Sequence, residues 1–507
     1  MQLINQHTKQ IFEDCKQRAI DFGLNVDCAT LEYIVSGKDF AELSSKVMIP
    51  TMYHFWLDDV RTFSDIKQYE VYPHSAYETV INSRPGMSFY LQDNPDWLNC
   101  MIAYHVLGHQ DFFRSNKFYE KTWNDDFVGQ SLANKRTINE LRIKHGRWVD
   151  YVIEFSRSLD NILFPTYYDQ QKHKVKNCTD FFFDIFIQTE INYSEIMYTK
   201  WLNKFNKMTD IEFKNEVISN FPDFITLYED YKDNYKNTDP DILSWLMDNS
   251  PFLNKKGNEW MLTVISIVKE TALYFEPQRR TKIMNEGWAS LIHDELFRAD
   301  PHIVGFETDY ARVNSFVTSV PKVGLNPYAI GMRLFEHIKN NSNKGKYSIE
   351  FDRILDKENR KYYDKHKDTG WQYIRDIMIN CNDSMFINSF ITQDFVEEYN
   401  LAVIGTRLVQ YGQYKEYYIK SKKAADYKQM LLDTLTHPPL MCIKKVNDKK
   451  LELKHKWEGV ELYQPYVQQV LRNILWLWGN DSNIELETKF YDDDHKTFAK
   501  YYREEKK

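Results

Sequence analysis

Apolar positions along most of this chain recur every three or four residues, the period of an amphipathic helix. Leu3, Ile4, Ile11, Phe12 and Ala19 place a first helix over residues 3–22. Between 50 and 93 the pattern breaks into short β-rich pieces, punctuated by Pro50, Pro73, Pro85 and Gly86. Tyr77–Asn82 and Met87–Gln92, joined by Ser-Arg-Pro-Gly, predict a hairpin. Asn94-Pro95-Asp96 turns the chain into a helix over 96–116. Helical spacing dominates 133–300, in Ile138–Leu163, Thr179–Phe205, Ile211–Phe221, a segment from Asp241 to Asn249, and Asn258–Phe275. Pro277 is expected to break the last of these, because proline lacks the donor a helix interior needs. Pro327–Asn340 and Ile349–His366 continue the helical theme. After about 396 strands and helices alternate in the order ββαββαβ, ending with a strand over Ile484–Tyr491. The expected class is mainly α, with a β-hairpin leading into a central helix and a small α+β C-terminal domain. The divisions read as an N-terminal helical segment (1–49), a mostly helical core (50–395), the α+β domain (396–491) and a charged tail (492–507).

Composition sharpens this picture. Only 17 glycines and 15 prolines in 507 residues leave few breakers, so long helices are expected. With 73 acidic against 65 basic side chains the net charge is −8, which gives no global electrostatic reason to bind nucleic acid or anionic lipid. Six scattered cysteines without a CxxC pair argue against a disulfide framework and an all-cysteine metal site. The first residues are amphipathic and carry Glu13 and Asp14, unlike a secretory signal. No run of 18 apolar residues occurs, so no membrane span is expected. These features together read as a cytoplasmic protein. The lysine-rich stretch 444–456 alternates with Leu451 and Leu453, which suits a half-buried strand with a solvated face. The chain holds no GxGxxG, GxxxxGK[ST] or GxSxG, which disfavours the common nucleotide-dependent enzymes and serine hydrolases.

The candidate chemistry lies in two distant stretches. His105-Val-Leu-Gly-His109 puts two imidazoles one turn apart on a helix, with Cβ atoms about 5–6 Å from each other, so both can reach one ion. Pro277–His293 carries Glu286 and, seven residues on, His293; at 100° per residue the two return to nearly the same face. His105, His109 and Glu286 form the expected ligand set for Zn²⁺ or another divalent ion. His293 is a fourth ligand, a neighbouring acid or base, or a satisfied buried histidine. Gly108 and Gly287 adjoin these positions. A glycine inside a helix costs about 1 kcal/mol against alanine, and close approach of two backbones is one reason to keep it.

A hairpin, then a helix with paired histidines, then a later helix with Asn285-Glu286-Gly287, is the ligand order of the gluzincin metallopeptidases. The resemblance has a defect. The HExxH motif places its general base beside the first histidine, and here that position is Val106. Glu78, on the hairpin, is a weak substitute, and His293 another. Two readings follow: a zincin-like hydrolase lacking the usual glutamate, or a non-catalytic protein whose metal is structural. A polar cluster without metal is the third.

Longer segments carry a second resemblance. AYETVINSRPG (76–86), AYHVLGHQDFF (103–113), YFEPQRRTKIMNEGWASLIH (274–293), NPYAIGMRLFEHI (326–338) and HKWEGVELYQPYVQQVL (455–471) resemble the SpoVR (stage V sporulation protein R) family, in the same order from about 50 to 490. The resemblance implies a mostly helical bacterial cytoplasmic protein with a smaller α+β C-terminal part. It also implies a link to sporulation, particularly spore cortex formation, or to a wider stress response. As partners it implies a PrkA-type serine protein kinase and a protein with a von Willebrand A-like domain. The metal assignment rests on spacing and residue type alone.

Overall fold

The computed structural model describes residues 2–36, 79–122, 126–162, 178–187, 200–201, 204–205, 207–229, 241–409, 414–435, 438–447, 449–456, 461–479, 481–491 and 496–503. It is mainly helical, with a few small sheets. The chain divides into two compact units. The first comprises residues 1–146 and 270–437, the second residues 147–269 and 438–507.

Unit one opens with strand β1 (Gln2–Leu3), helix α1 (Gln6–Asp21) and strand β2 (Thr30–Val35). Strands β3 (Thr79–Ile81) and β4 (Gly86–Leu91) pair antiparallel in the register Thr79↔Phe89, which is the hairpin the sequence predicts. The sheet order is β1-β2-β4-β3, with β2 parallel to β4. Helix α2 (Asp96–Ser115) follows at once and is the axis of the unit. Every side chain from Trp97 to Phe113 is buried, so α2 has no solvent face and is wrapped on all sides.

Helix α3 (Lys282–Arg298) is the second core helix, buried over most of its length. It lies between α2 and helix α5 (Pro327–Asn343), and helix α4 (Glu307–Val317) runs between α3 and α5 in sequence. Glycines explain the closeness of the three. A Cβ built on Gly108 of α2 would stand 2.7 Å from Ala289 Cα of α3. On the other flank, a Cβ on Gly331 of α5 would stand 2.1 Å from Ile283 O and 2.7 Å from Gly287 Cα. Gly108 therefore sets the α2–α3 approach as its sequence position suggested. Gly287 faces α5: a Cβ built on it would stand 2.4 Å from Gly331 Cα.

Pro277 does not break its helix, which runs from Glu259 to Arg280. The proline sits in the last turn, where its missing donor costs the helix one bond. The break falls at Thr281, which is fully buried; its Oγ1 donates to Pro277 O at 2.7 Å. Thr281 gives α3 no side-chain cap. That task falls to Asp383, at the start of helix α6 (Asp383–Phe390), whose two carboxylate oxygens accept from Ile283 N at 2.9 Å and Met284 N at 2.8 Å. Burial pushes the Asp383 carboxyl up to about 7, although these backbone donors pull the other way.

The ββαββαβ order expected after 396 is present, but its parts separate. Strands β5 (Val403–Val409) and β6 (Tyr414–Ser421), with the helix Ala424–Thr434, belong to unit one as a two-stranded ribbon. Strands β7 (Leu440–Asn447), β8 (Lys450–Lys456) and β9 (Asn483–Tyr491), with the helix Gln464–Trp478, belong to unit two. The expected charged tail holds a further strand, β10 (Lys496–Arg503), antiparallel to β9 along its full length. The sheet order is β10-β9-β8-β7. Unit two also contains an aromatic cluster in which Phe182, Phe213, Phe224 and Trp201 pack with little access to solvent.

Candidate metal centre

The site grows from one turn of α2 facing one turn of α3. His105 and His109 project from α2 at i and i+4, with ring centroids 4.7 Å apart and planes at 87°. Glu286 comes from α3, and the Gly108–Ala289 contact brings it within reach. Its Oε2 stands 3.5 Å from His109 Nε2 and 4.0 Å from His105 Nε2. Two donors each about 2.1 Å from one tetrahedral ion stand roughly 3.4 Å apart, so the three side chains converge at ligand spacing. Glu286 Oε2 is sealed from solvent and accepts no hydrogen bond. A buried carboxylate oxygen in that state is costly unless a cation completes it.

The far nitrogens of both histidines are anchored. His109 Nδ1 lies 3.0 Å from Asn285 Oδ1, an oxygen that can only accept, so Nδ1 carries the proton and Nε2 turns its lone pair to Glu286. His105 Nδ1 lies 2.9 Å from His293 Nδ1, and His293 Nε2 lies 3.0 Å from Asn314 Oδ1. The same logic fixes this chain. His293 Nε2 donates to Asn314 Oδ1, His293 Nδ1 accepts from His105 Nδ1, and His105 Nε2 presents a lone pair. Asn314 is held in turn by Asp294, which accepts from its Nδ2 at 2.9 Å, from Arg298 Nε at 2.9 Å and from the Tyr310 hydroxyl. Burial holds His105 well below the ordinary histidine value, with His109 and His293 adding to the effect, and burial likewise lowers His293. Both are therefore neutral at pH 7, the form a metal ligand and its partner require.

The structure thus brings together three of the residues singled out in the sequence and sets the fourth apart. His293 engages its ring nitrogens with His105 and Asn314, so its place is behind His105 rather than among the converging donors. Glu78 lies outside the described residues. Val106 packs in the hydrophobic core at 3% exposure. Asp111 points away from the site, as two residues past His109 on a helix it must. It accepts from Asn25 N at 2.7 Å and Trp288 Nε1 at 2.9 Å. Sequence reading gave no role to Asn285, Asn314 or Asp294. Asn285 adjoins a proposed ligand and could have been found that way; the other two carry no local signal. A second grouping, Cys15, Cys100 and Asp300, has the two sulfurs 3.3 Å apart. Its carboxylate is already satisfied by the Tyr104 hydroxyl at 2.6 Å and by His302 N at 2.8 Å.

Comparison with known proteins bears on this geometry. The family model described as SpoVR like protein matches residues 3–437. The uncharacterized protein YcgB of Escherichia coli (strain K12) is 23% identical over 323 residues, which cover 60% of this chain and 58% of that protein. The chain therefore matches less than two thirds of that relative's length. No solved structure matches. Among the described residues no helix is long and apolar enough to cross a membrane.

Proposed function

The chain belongs to the SpoVR family, a sporulation-associated family, and within it we propose a zincin-like, metal-dependent hydrolase whose divalent ion, Zn²⁺ by its donor set, is held by His105, His109 and Glu286. The observation that supports this reading is the convergence of the three donors, with Glu286 Oε2 buried and otherwise unsatisfied. When bound, such an ion would supply Lewis-acid chemistry, polarising a carbonyl and lowering the pKa of water towards about 7. The protein's own part is to orient. Asn285 and His293 fix the two imidazole tautomers, and Glu286 offsets one unit of the ion's charge. Among the described residues three donors converge, and a site of three protein ligands would leave a position open, as catalytic rather than structural zinc sites do. The base absent at Val106 is left unassigned in this reading, with Glu78 and His293 as weak candidates. The setting is cytoplasmic, in spore cortex formation or a stress response.

Val106 favours a second reading. Its apolar side chain does no proton transfer, which suits a non-catalytic, metal-stabilised regulator working with a PrkA-type kinase and a von Willebrand A-like domain protein. Elemental analysis of untagged protein tests the centre. About one zinc per chain is expected, lost in both Glu286→Ala and His105→Ala. Substoichiometric metal, equal in wild type and variants, overturns it. Coordination then separates the readings: an exchangeable water supports the hydrolase, and a closed four-ligand shell supports the regulator.

A further inference from the structure

Among the described residues, strands β5 and β6 pair only with each other. Val403, at the foot of β5, packs against the core of unit one, and the ribbon becomes exposed from there outwards. Thr406–Leu408 and the whole of Tyr414–Lys420 are exposed. Two strands by themselves are marginal in water, and a long bare edge is a place where another chain can pair. β5 is half-buried over its first residues, whereas β6 is exposed along almost its full length, so the edge on offer is that of β6.

The two faces of the ribbon differ. Alternation puts Gly405, Arg407, Glu416 and Tyr418 on one face. That face satisfies itself. The Tyr418 ring lies over Gly405, where a Cβ would stand 2.6 Å from Tyr418 Cζ. Arg407 pairs with Glu416 at 2.7 Å and stands over the same ring at 5.6 Å. The other face carries Leu408, Lys415, Tyr417 and Ile419. Leu408 is 65% exposed, Ile419 57% and Tyr417 54%, so this face leaves apolar surface in water.

Charge selects the occupant. From Val403 to Lys423 five basic side chains stand against one acidic, in a chain whose net charge is −8. Glu416 is spent on Arg407, and Lys422 bonds Asn400 Oδ1 at 3.2 Å. Lys415, Lys420 and Lys423 meet no carboxylate among the described residues. A second copy docking ribbon to ribbon would set these lysines against their own kind, which disfavours it. A strand with carboxylates opposite Lys415 and Lys420, and apolar side chains opposite Tyr417 and Ile419, meets its complement at each position. Its backbone also supplies the hydrogen-bond partners that the β6 edge lacks.

We propose that the edge of β6 is a docking site for an extended acidic segment of a partner protein, which adds to the ribbon as a third strand. The site is independent of the metal centre.

A labelled ten-residue peptide alternating Glu with Val, its counterpart alternating Lys with Val, and a ten-nucleotide oligouridylate are titrated into the full chain and followed by fluorescence anisotropy. The acidic peptide binds about tenfold or more tighter than the basic one, and more weakly as salt rises. The double variant Lys415→Glu/Lys420→Glu binds it about tenfold more weakly, the order for two exposed ion pairs turned into repulsions. Tyr417→Ser/Ile419→Ser also weakens it, through the apolar surface removed. All four side chains are exposed, so both variants keep the thermal midpoint of the wild type. Equal affinity for the two peptides, binding of neither, or binding unmoved by both variants overturns the docking site. Oligouridylate bound as tightly as the acidic peptide, and lost in the lysine variant, makes the ribbon a nucleic-acid surface and overturns it too.

Discussion

His293 shows how position in a network differs from position on an ion. It shares a helix face with Glu286, yet its Nδ1 meets His105 at 2.9 Å and its Nε2 meets Asn314 at 3.0 Å. A histidine in that place sets the tautomer of its neighbour. Replacing it with alanine leaves His105 Nδ1 without its acceptor, so His293→Ala is expected to keep one zinc per chain and bind it about 10–100-fold more weakly. Competition with a chromogenic chelator measures this; loss of stoichiometric zinc even at saturating metal would make His293 a ligand. The histidine pair and Glu286 were legible in the sequence because helical spacing decides which side chains share a face. Asn314 and Asp383 were not, since the groups they hold lie 21 and about 100 residues away in sequence. Asn314 belongs to α4 and Asp383 to α6, and nothing local in either stretch signals a task on α3.

At the scale of elements, the glycine seams set the site's geometry. Alanine is the better helix former by about 1 kcal/mol, so a glycine of no consequence should become more stabilising when replaced. Gly331→Ala is expected to do the opposite. The added methyl would meet Ile283 O at 2.1 Å, and neither backbone can yield cheaply. A loss of about 2–4 kcal/mol is the expected outcome, read from the midpoint of chemical denaturation; a gain would show that α3 and α5 can separate without cost. Periodicity exposed the helices themselves, and it placed α2 to within one residue at either end. It failed at Pro277 because a proline near a helix end removes a single bond, and the helix runs on to Arg280 with the break at Thr281. It assigned both core glycines to one interface because sequence says that backbones approach closely, and does not say which neighbour approaches.

At the scale of the molecule, the chain leaves unit one after Gly146 and returns to it at Glu270. Residues 396–491 look continuous in sequence because strand and helix signals follow one another without a gap, yet the division falls at 437/438. Pairing partners, which decide such a division, are not encoded in local pattern. The same limit applies to residues 496–503. Their charge suggests a solvated tail, but backbone pairing to β9 runs from Lys496↔Tyr491 to Arg503↔Ile484. Ending the chain after Tyr491 would bare the β9 edge, and the expected result is a less soluble, less heat-stable protein; a truncated chain that matches the full one in light scattering and thermal midpoint would return 496–503 to the role of a tail. The seams around α3 have one more consequence. They hold His105, His109 and Glu286 in register by backbone contact, so the proposed metal would meet donors already set by packing. A zinc finger collapses when its ion is stripped. A centre braced by packed helices, if it takes the proposed ion, would lose and regain it with the fold intact, and its occupancy would then follow the free metal of its surroundings, as a gauge does.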